Sequence, residues 1–435
     1  MNNSSKKIFI GLTAVSAAGI LAGGIALGSC SHSCDGISCR SAVGLSKEEN
    51  LKARNTRFSK ENPSEAVKLN VFVESSASMD GYVNGNTRFK TLLHRLIGQL
   101  TADVMADEDS ISLNYVNSKI LNHNVSVKEF TGDLSAAAFR NAGGDRGNSN
   151  IIDVVEQAVR STDKGTISML LTDCVYSPQS GDDIDKALQK QQTDMLNVLK
   201  RKFKKGDETF GVLLYRMSSD FNGVYYTKTN QPIQYQGERP YFVWIFGDES
   251  LLASVYSSTA SIMAEQNADC LVGIPGYKYL PYKTEGSDHP YHYMNAKANS
   301  ESAFTFTFVA DMNYLPLPES YILNPSNYTC GKHTKIKKIE RYKPKQGKKQ
   351  DTSYNYKYTV SVSGGRNAEV TPMTVEIAMK SMTRTQPEWI TTYDDPKGTD
   401  FTRGQTTFGL KSLADGVCDF YSKYPDYVTF KIKIN

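Results

Sequence analysis

The chain has 435 residues, 50 basic and 46 acidic side chains, 39% apolar residues and a mean hydropathy of −0.43. These values exclude a disordered charged tail and a multi-span membrane protein, and a net charge of +4 is too small to argue for a nucleic-acid partner. Seven cysteines are too few to build a fold from disulfides, and the length suggests two or three domains of roughly 150 residues each.

Residues 1–29 read as an export signal. Lys6 and Lys7 form a basic start, Ile8 to Leu27 run without a charge, and Gly28-Ser29 supply small residues before Cys30. Leu27-Gly28-Ser29-Cys30 resembles the bacterial lipobox, which implies a diacylglycerol on the Cys30 thiol and a chain anchored by lipid to a bacterial membrane. An uncleaved apolar anchor is the alternative, and both place the remainder in the cell envelope, outside the cytoplasm. Residues 30–66 are a polar tether in which Cys34 and Cys39, with four residues between them, could close a small loop in an oxidising compartment.

From 67 to 265 short apolar strands alternate with amphipathic helices. Val67 to Val73, Ile111 to Val116, Ile167 to Leu171, Phe210 to Tyr215 and Tyr241 to Phe246 read as strands. Phe89 to Met105, Asn150 to Arg160, Ile184 to Phe203 and roughly 250–265 read as helices, the first with Leu92, Leu93, Leu96, Ile97 and Leu100 at helical spacing. This rhythm predicts an α/β fold: an open, doubly wound, mostly parallel sheet with helices on both faces and a ligand crevice at the carboxyl ends of its strands.

Two of those strand ends carry acids and hydroxyls. The first strand runs into Glu74-Ser75-Ser76-Ala77-Ser78-Met79-Asp80, and the strand 167–171 runs into Thr172-Asp173-Cys174. Between them lies Gly143-Gly144-Asp145-Arg146-Gly147-Asn148-Ser149-Asn150, a loop that ends at a helix start. Hydroxyls at i and i+2 of one turn, another on a neighbouring loop and flanking carboxylates make an all-oxygen set that suits a hard cation. Each piece also has a plainer use. Ser76 and Ser78 could cap the next helix, Asn150 with Asp153 could start one, and Asp173 could cap the segment after it.

Taken together the three loops resemble the von Willebrand factor A domain and its metal-ion-dependent adhesion site. The family's Asp-x-Ser-x-Ser motif is matched by Glu74-x-Ser76-x-Ser78, its threonine at a helix start by Ser149, and its Thr-Asp-Gly by Thr172-Asp173-Cys174. The resemblance covers about residues 67–265. It implies Mg²⁺ or Mn²⁺ bound directly by Ser76 and Ser78, directly or through water by Ser149, and through waters by Glu74 and Asp173. A sixth position would be left for a carboxylate from a partner protein. The departures are Glu74, one methylene longer than the family's Asp, Ser for Thr at 149 and Cys for Gly at 174.

After about 266 the pattern changes to strict alternation. Phe304, Phe306 and Phe308, then Tyr356, Tyr358, Val360 and Val362, then Val375, Ile377 and Met379, and last Val428, Phe430, Ile432 and Ile434 alternate with polar residues. Period two with one polar face predicts an antiparallel β-sandwich over 301–435, joined to the first domain by a connector, 266–300, that is rich in tyrosine. Tyr277, Tyr279, Tyr282, Tyr291 and Tyr293 there either form a recognition surface or pack between the domains. The lysines from Lys332 to Lys349 read as a solvated hairpin tip or a patch for an anionic surface.

Catalytic motifs are missing. The chain has no Gly-x-Ser-x-Gly elbow, no phosphate loop and no His-Glu-x-x-His helix, and none of its six histidines falls in the three loops. The sequence thus favours a membrane-tethered binding or adhesion protein that meets a protein or glycan partner. The alternatives are a metal-assisted hydrolase of phosphate or sulfate esters with Ser76 or Ser78 as nucleophile, and a metal-free structural or assembly lipoprotein.

Overall fold

In the computed structural model the described residues are 67–434, apart from 106, 148–149, 178–180, 182, 205–207, 228–230, 278–279, 287–290, 294–302, 344–353, 364–372 and 396–404. The export signal, Cys30, the tether and Ser149 therefore lie outside the described residues. Among the described residues no helix is long and apolar enough to cross a membrane.

The first layer is a seven-stranded sheet of order β3-β2-β1-β4-β6-β5-β7. Its strands are β1 (Lys68–Glu74), β2 (Ile111–Val116), β3 (Ile120–His123), β4 (Thr166–Thr172), β5 (Phe210–Tyr226), β6 (Pro232–Asp248) and β7 (Asp269–Gly273). β1 lies between β2 and β4 and is parallel to both. β5 runs the same way, because it and β4 are each antiparallel to β6, whereas β3 and β7 close the two edges antiparallel. Four of the seven strands thus share one direction; beyond β4 all neighbours pair antiparallel, with β5 and β6 joined as a hairpin and the helices Ile184–Lys204 and Glu249–Glu265 carrying the crossovers from β4 to β5 and from β6 to β7. β4 is buried along its whole length, as strands covered on both faces must be.

Helices cover both faces. α1 (Arg88–Asp103), α2 (Val127–Gly132) and α3 (Ala136–Ala142) precede α4 (Ile151–Arg160), α5 (Ile184–Lys204) and α6 (Glu249–Glu265). α1 packs with α6 on one side, α4 with α5 on the other. Capping fixes where several of them begin. Ser126 and Glu129 form a reciprocal capping box on α2, Asn150 caps α4 by accepting from Ile152 N (3.1 Å), and Asp248 caps α6 from Ser250 N (2.9 Å). The helix-starting use foreseen for Asn150 is thus the one it has.

The second layer is a pair of four-stranded sheets, β12-β13-β10-β8 and β11-β14-β15-β9. These comprise β8 (Tyr282–Thr284), β9 (His292–Tyr293), β10 (Ala303–Ala310), β11 (Tyr328–Cys330), β12 (Thr334–Arg341), β13 (Tyr356–Ser363), β14 (Met373–Lys380) and β15 (Asp426–Ile434). Every pairing is antiparallel except the short one between β15 and β9. The inward residues are the alternating ones expected from sequence. They meet across the sandwich where Phe308 stacks on Tyr358 at 4.5 Å and Phe430 touches both rings at 5.0 and 5.6 Å.

Two features were not legible beforehand. A helix within the last third of the chain, α7 (Leu410–Tyr421), packs against α5 and thereby joins the helical layer of the seven-stranded sheet. Its Gly416 lies so close that a Cβ would stand 2.7 Å from Gln192 O, while Tyr421 donates to Phe210 O (3.0 Å) and Ser412 to Gln191 Oε1 (2.6 Å). Of the connector tyrosines that are described, Tyr277, Tyr282 and Tyr291 are buried and Tyr293 is half-buried. Tyr277 donates to Glu249 O and from its N–H to Tyr427 O, so it packs between the two layers, whereas Tyr282, which donates to Lys431 O, Tyr291 and Tyr293 pack within the sandwich.

The other feature is the length of β5 and β6. Both strands were expected to span about six residues, and each has 17. Pairing with β4 ends at Phe242 and pairing with β7 at Arg216, so residues 217–226 and 232–241 continue as a two-stranded ribbon past the carboxyl ends of β1 and β4. Its inward positions include Ser219 and Gly223 among Met217, Phe221 and Tyr225, so the apolar periodicity that marks a strand is diluted there.

Candidate functional site at the strand ends

β1 ends at Glu74, and because Val73 stands opposite Leu171 in the parallel register, Glu74 comes level with Thr172 at the end of β4. Its carboxylate accepts from the Thr172 hydroxyl, which in turn accepts from Cys174 N (2.8 Å). The extra methylene of Glu74 is therefore used to reach the neighbouring strand. Ser75 is tied sideways to β2, with its N–H on Val116 O and its hydroxyl accepting from Asn117 Nδ2 (3.1 Å), and takes no part in the cavity.

After Ser75 the chain turns through a single 3₁₀ turn, Ala77–Met79, with Ser76 at its N-cap position. The Ser76 side chain makes no capping bond to a backbone N–H, so the capping role foreseen as the plainer use does not hold for it. Its Oγ lies 3.0 Å from Ser78 Oγ, and both residues are buried. Asp173 is 2% exposed. One of its oxygens accepts from Val175 N (3.2 Å), a local turn of the sort foreseen. Burial holds this carboxyl above the usual carboxylate range, opposed by the charge of Arg239 and a hydrogen bond from Ser78. The structure therefore brings Glu74, Ser76, Ser78 and Asp173 together at the ends of two adjacent parallel strands.

Two arginines that sequence reasoning passed over stand at this site. Arg146, in the glycine-rich loop, donates from Nε to Ser75 O (2.8 Å) and from Nη2 to Ser76 O (3.3 Å), and pairs with Asp80, which also meets Arg140 at 3.3 Å. Ala77 N bonds back to Arg146 O (3.0 Å). One side chain and one peptide group thus clamp the 143–147 segment onto the serine turn. Arg239 comes from the ribbon strand β6 and is 1% exposed. Its guanidinium lies over the Tyr225 ring at 4.3 Å and the Phe221 ring at 5.3 Å, and its Nε and Nη2 have no hydrogen-bond partner among the described residues. The only sequence signal for Arg239 was a charge immediately before an apolar strand, and nothing in the chain order linked it to Asp173, 66 positions earlier.

The ribbon walls the site on one side. The Tyr82 hydroxyl donates to Pro240 O, Phe221 meets the Tyr82 ring edge-on at 4.8 Å, and a Cβ on Gly81 would fall 2.3 Å from the Phe221 ring. The resulting cavity has a volume of about 90 Å³ and is lined by Glu74, Ser76, Ser78, Arg146, Ser177 and Tyr226, among others. Cys174 adopts φ +55°, the left-handed region that favours glycine, the residue the family often has at that position. Such a conformation costs an ordinary residue roughly 1–2 kcal/mol. The thiol is fully buried and accepts from Trp244 Nε1 (3.2 Å), and burial pushes it well above its ordinary pKa, so it is an unreactive packing group.

No family model, no curated protein and no solved structure matches this chain. Among the described residues no group of three or more His, Cys, Asp and Glu side chains could hold a metal ion.

Proposed function

We propose that the protein is a membrane-tethered, extracytoplasmic binding protein with a von Willebrand factor A-like domain, whose strand-end site uses Mg²⁺ or Mn²⁺ to engage a protein or glycan partner. The observation that carries this reading is the Ser76–Ser78 pair. Two cis ligands of an octahedral ion at about 2.1 Å are separated by roughly 3.0 Å. The two hydroxyl oxygens are 3.0 Å apart and neither is spent on capping the turn. Ser76 and Ser78 would hold the ion, with Glu74 and Asp173 reaching it through water, and Thr172 keeps Glu74 out of the inner position. A bound cation would offset two buried carboxylates and present an open coordination position to an oxygen of the partner. The cavity is too small for a sizeable substrate, which suits contact with one protruding group of a partner surface. Lipidation at Cys30 would hold this domain at the membrane through the 30–66 tether.

The test is thermal. The purified protein should gain melting temperature in millimolar Mg²⁺ or Mn²⁺, by about 2.7 kcal/mol of stability at a hundredfold excess over Kd, and Ser76→Ala with Ser78→Ala should abolish the gain. No shift in the parent protein would defeat the metal reading.

A second reading, a metal-free assembly role, draws support from Arg146 and Arg239. Both already bring positive charge to this end of the sheet, and Arg146 staples two of the three loops together. The same titration separates the readings.

A further inference from the structure

The two arginines at the strand ends are used differently. Arg146 clamps the glycine-rich loop onto the serine turn and is itself paired with Asp80. Arg239 is too buried to meet a partner, and its Nε and Nη2 have no hydrogen-bond partner among the described residues. Packing holds it in place. Its guanidinium rests on the Tyr225 and Phe221 rings, and Phe221 is fixed by the edge-on ring of Tyr82. Tyr82 belongs to the helical turn Asp80–Val83 directly after the serine turn, and its hydroxyl donates to the carbonyl of Pro240, the residue after Arg239. Tyr226, next to Tyr225, lines the strand-end cavity. Ribbon and serine turn are thus locked together with the guanidinium between aromatic faces.

A guanidinium does not give up its proton in a protein, so a full positive charge is buried here. That charge acts on the Asp173 carboxyl, where it opposes the effect of burial. With both carboxyls ionised, Glu74 and Asp173 contribute two negative charges and Arg239 one positive charge, which leaves one negative charge among these buried groups. A divalent ion on Ser76 and Ser78 would turn that balance to one positive charge, whereas without Arg239 the same ion would bring it to zero. Like charges repel far more strongly in a protein interior than in water, and a side chain confined by rings has little freedom to move away.

We infer that Arg239 sets the cation affinity of the strand-end site, as a built-in competing charge that keeps Mg²⁺ or Mn²⁺ weakly bound. Arg239 does not ligate the ion; it acts through the Asp173 carboxylate and through its own charge. The inference rests on the metal reading of Ser76 and Ser78 and adds to it the residue that limits occupancy.

The test titrates Mg²⁺ and Mn²⁺ by calorimetry into the full chain and into variants confirmed as folded by their melting curves. Arg239→Met should bind the ion at least about tenfold more tightly than the parent. Arg239→Gln is the second neutral variant should Arg239→Met not fold. Arg239→Lys keeps the charge and loses the planar stack, so it should stay near the parent value; a merely structural role would move the charged and neutral variants alike. Adding Ser76→Ala and Ser78→Ala to the neutral variant should abolish the gain. Equal or weaker binding by the neutral variant, no binding by it at all, or Arg239→Lys binding as tightly as the neutral variant would each overturn the inference. The metal reading fails separately: a parent that binds no ion beside a neutral variant that does would defeat it for the native protein and uphold the role of Arg239.

Discussion

The two facing sheets of the sandwich bury aliphatic and aromatic side chains whose only polar atoms are hydroxyls, whereas the carboxyl end of the seven-stranded sheet buries Glu74, Asp173 and Arg239 close together. Burying a ring gains free energy in proportion to the area removed from water. Burying an ion costs several kcal/mol that only good pairing returns. Two guanidinium nitrogens of Arg239 have no hydrogen-bond partner among the described residues, Asp173 is held above the usual carboxylate range, and Cys174 sits in a conformation that favours glycine. The strand-end site is thus arranged at the expense of stability, and the apolar cores, including the sandwich, offset it. Strain and buried charge at one end of an otherwise consistent fold are what a functional site produces.

The comparison breaks most visibly if the sandwich is emptied. Phe430 links both sheets, and Phe430→Ala should cost about 3–5 kcal/mol in urea unfolding, enough to unfold a marginal protein. A cost under about 1 kcal/mol would show that the sandwich is not what stabilises the molecule.

At the other end, Asp173→Asn combined with Arg239→Met removes two of the three buried charged groups, roughly keeps their volumes and leaves Glu74 on its Thr172 hydrogen bond. We expect unchanged or increased stability, by up to about 4 kcal/mol, together with loss of any response to Mg²⁺. A large destabilisation would mean that the buried charges support the fold.

A smaller effect, about 1 kcal/mol, is expected from Tyr328→Phe, which removes the hydroxyl that donates to Ile322 O (2.8 Å) and lies 3.1 Å from the Tyr358 hydroxyl. The smallest concerns pH. Burial raises the carboxyl of Asp173, so the folded protein holds that proton to higher pH than the unfolded chain does. The contribution to stability is then present below the unfolded value near 3.8 and is lost as pH rises through the folded value. Asp173→Asn should flatten that limb of the stability profile, and an unaltered profile would show that this carboxyl is not the group responsible.

Much of the site could be read in the chain because its first-named residues follow buried strands. β1 and β4 are short, apolar and bounded by polar turns, so the positions of Glu74 and Asp173 at their ends were determined locally. The sandwich strands were equally legible, since alternation against one core fixes which residues face inward. The guanidinium groups were not. Arg146 acts through a loop that folds back on a turn about 70 residues earlier, and Arg239 through a ribbon whose polar inward positions disguise it as a loop. The last helix has a local signal, Leu410, Leu413, Ala414, Val417 and Phe420 at helical spacing, which the alternating strands around it obscured; what the sequence could not show is its partner, α5, more than 200 residues away.

The sequence by itself determined the α/β rhythm of the first part, the alternating strands of the second and the three loops that carry hydroxyls and acids, because each depends on periodicities of two or 3.6 residues within one segment. Only the tertiary structure decided that half the central sheet is paired antiparallel, that a ribbon rises beside the serine turn, that two arginines accompany the buried acids and that α7 completes the helical layer. Each of these rests on contacts between residues far apart in the chain, where packing and charge, not local preference, choose the partner.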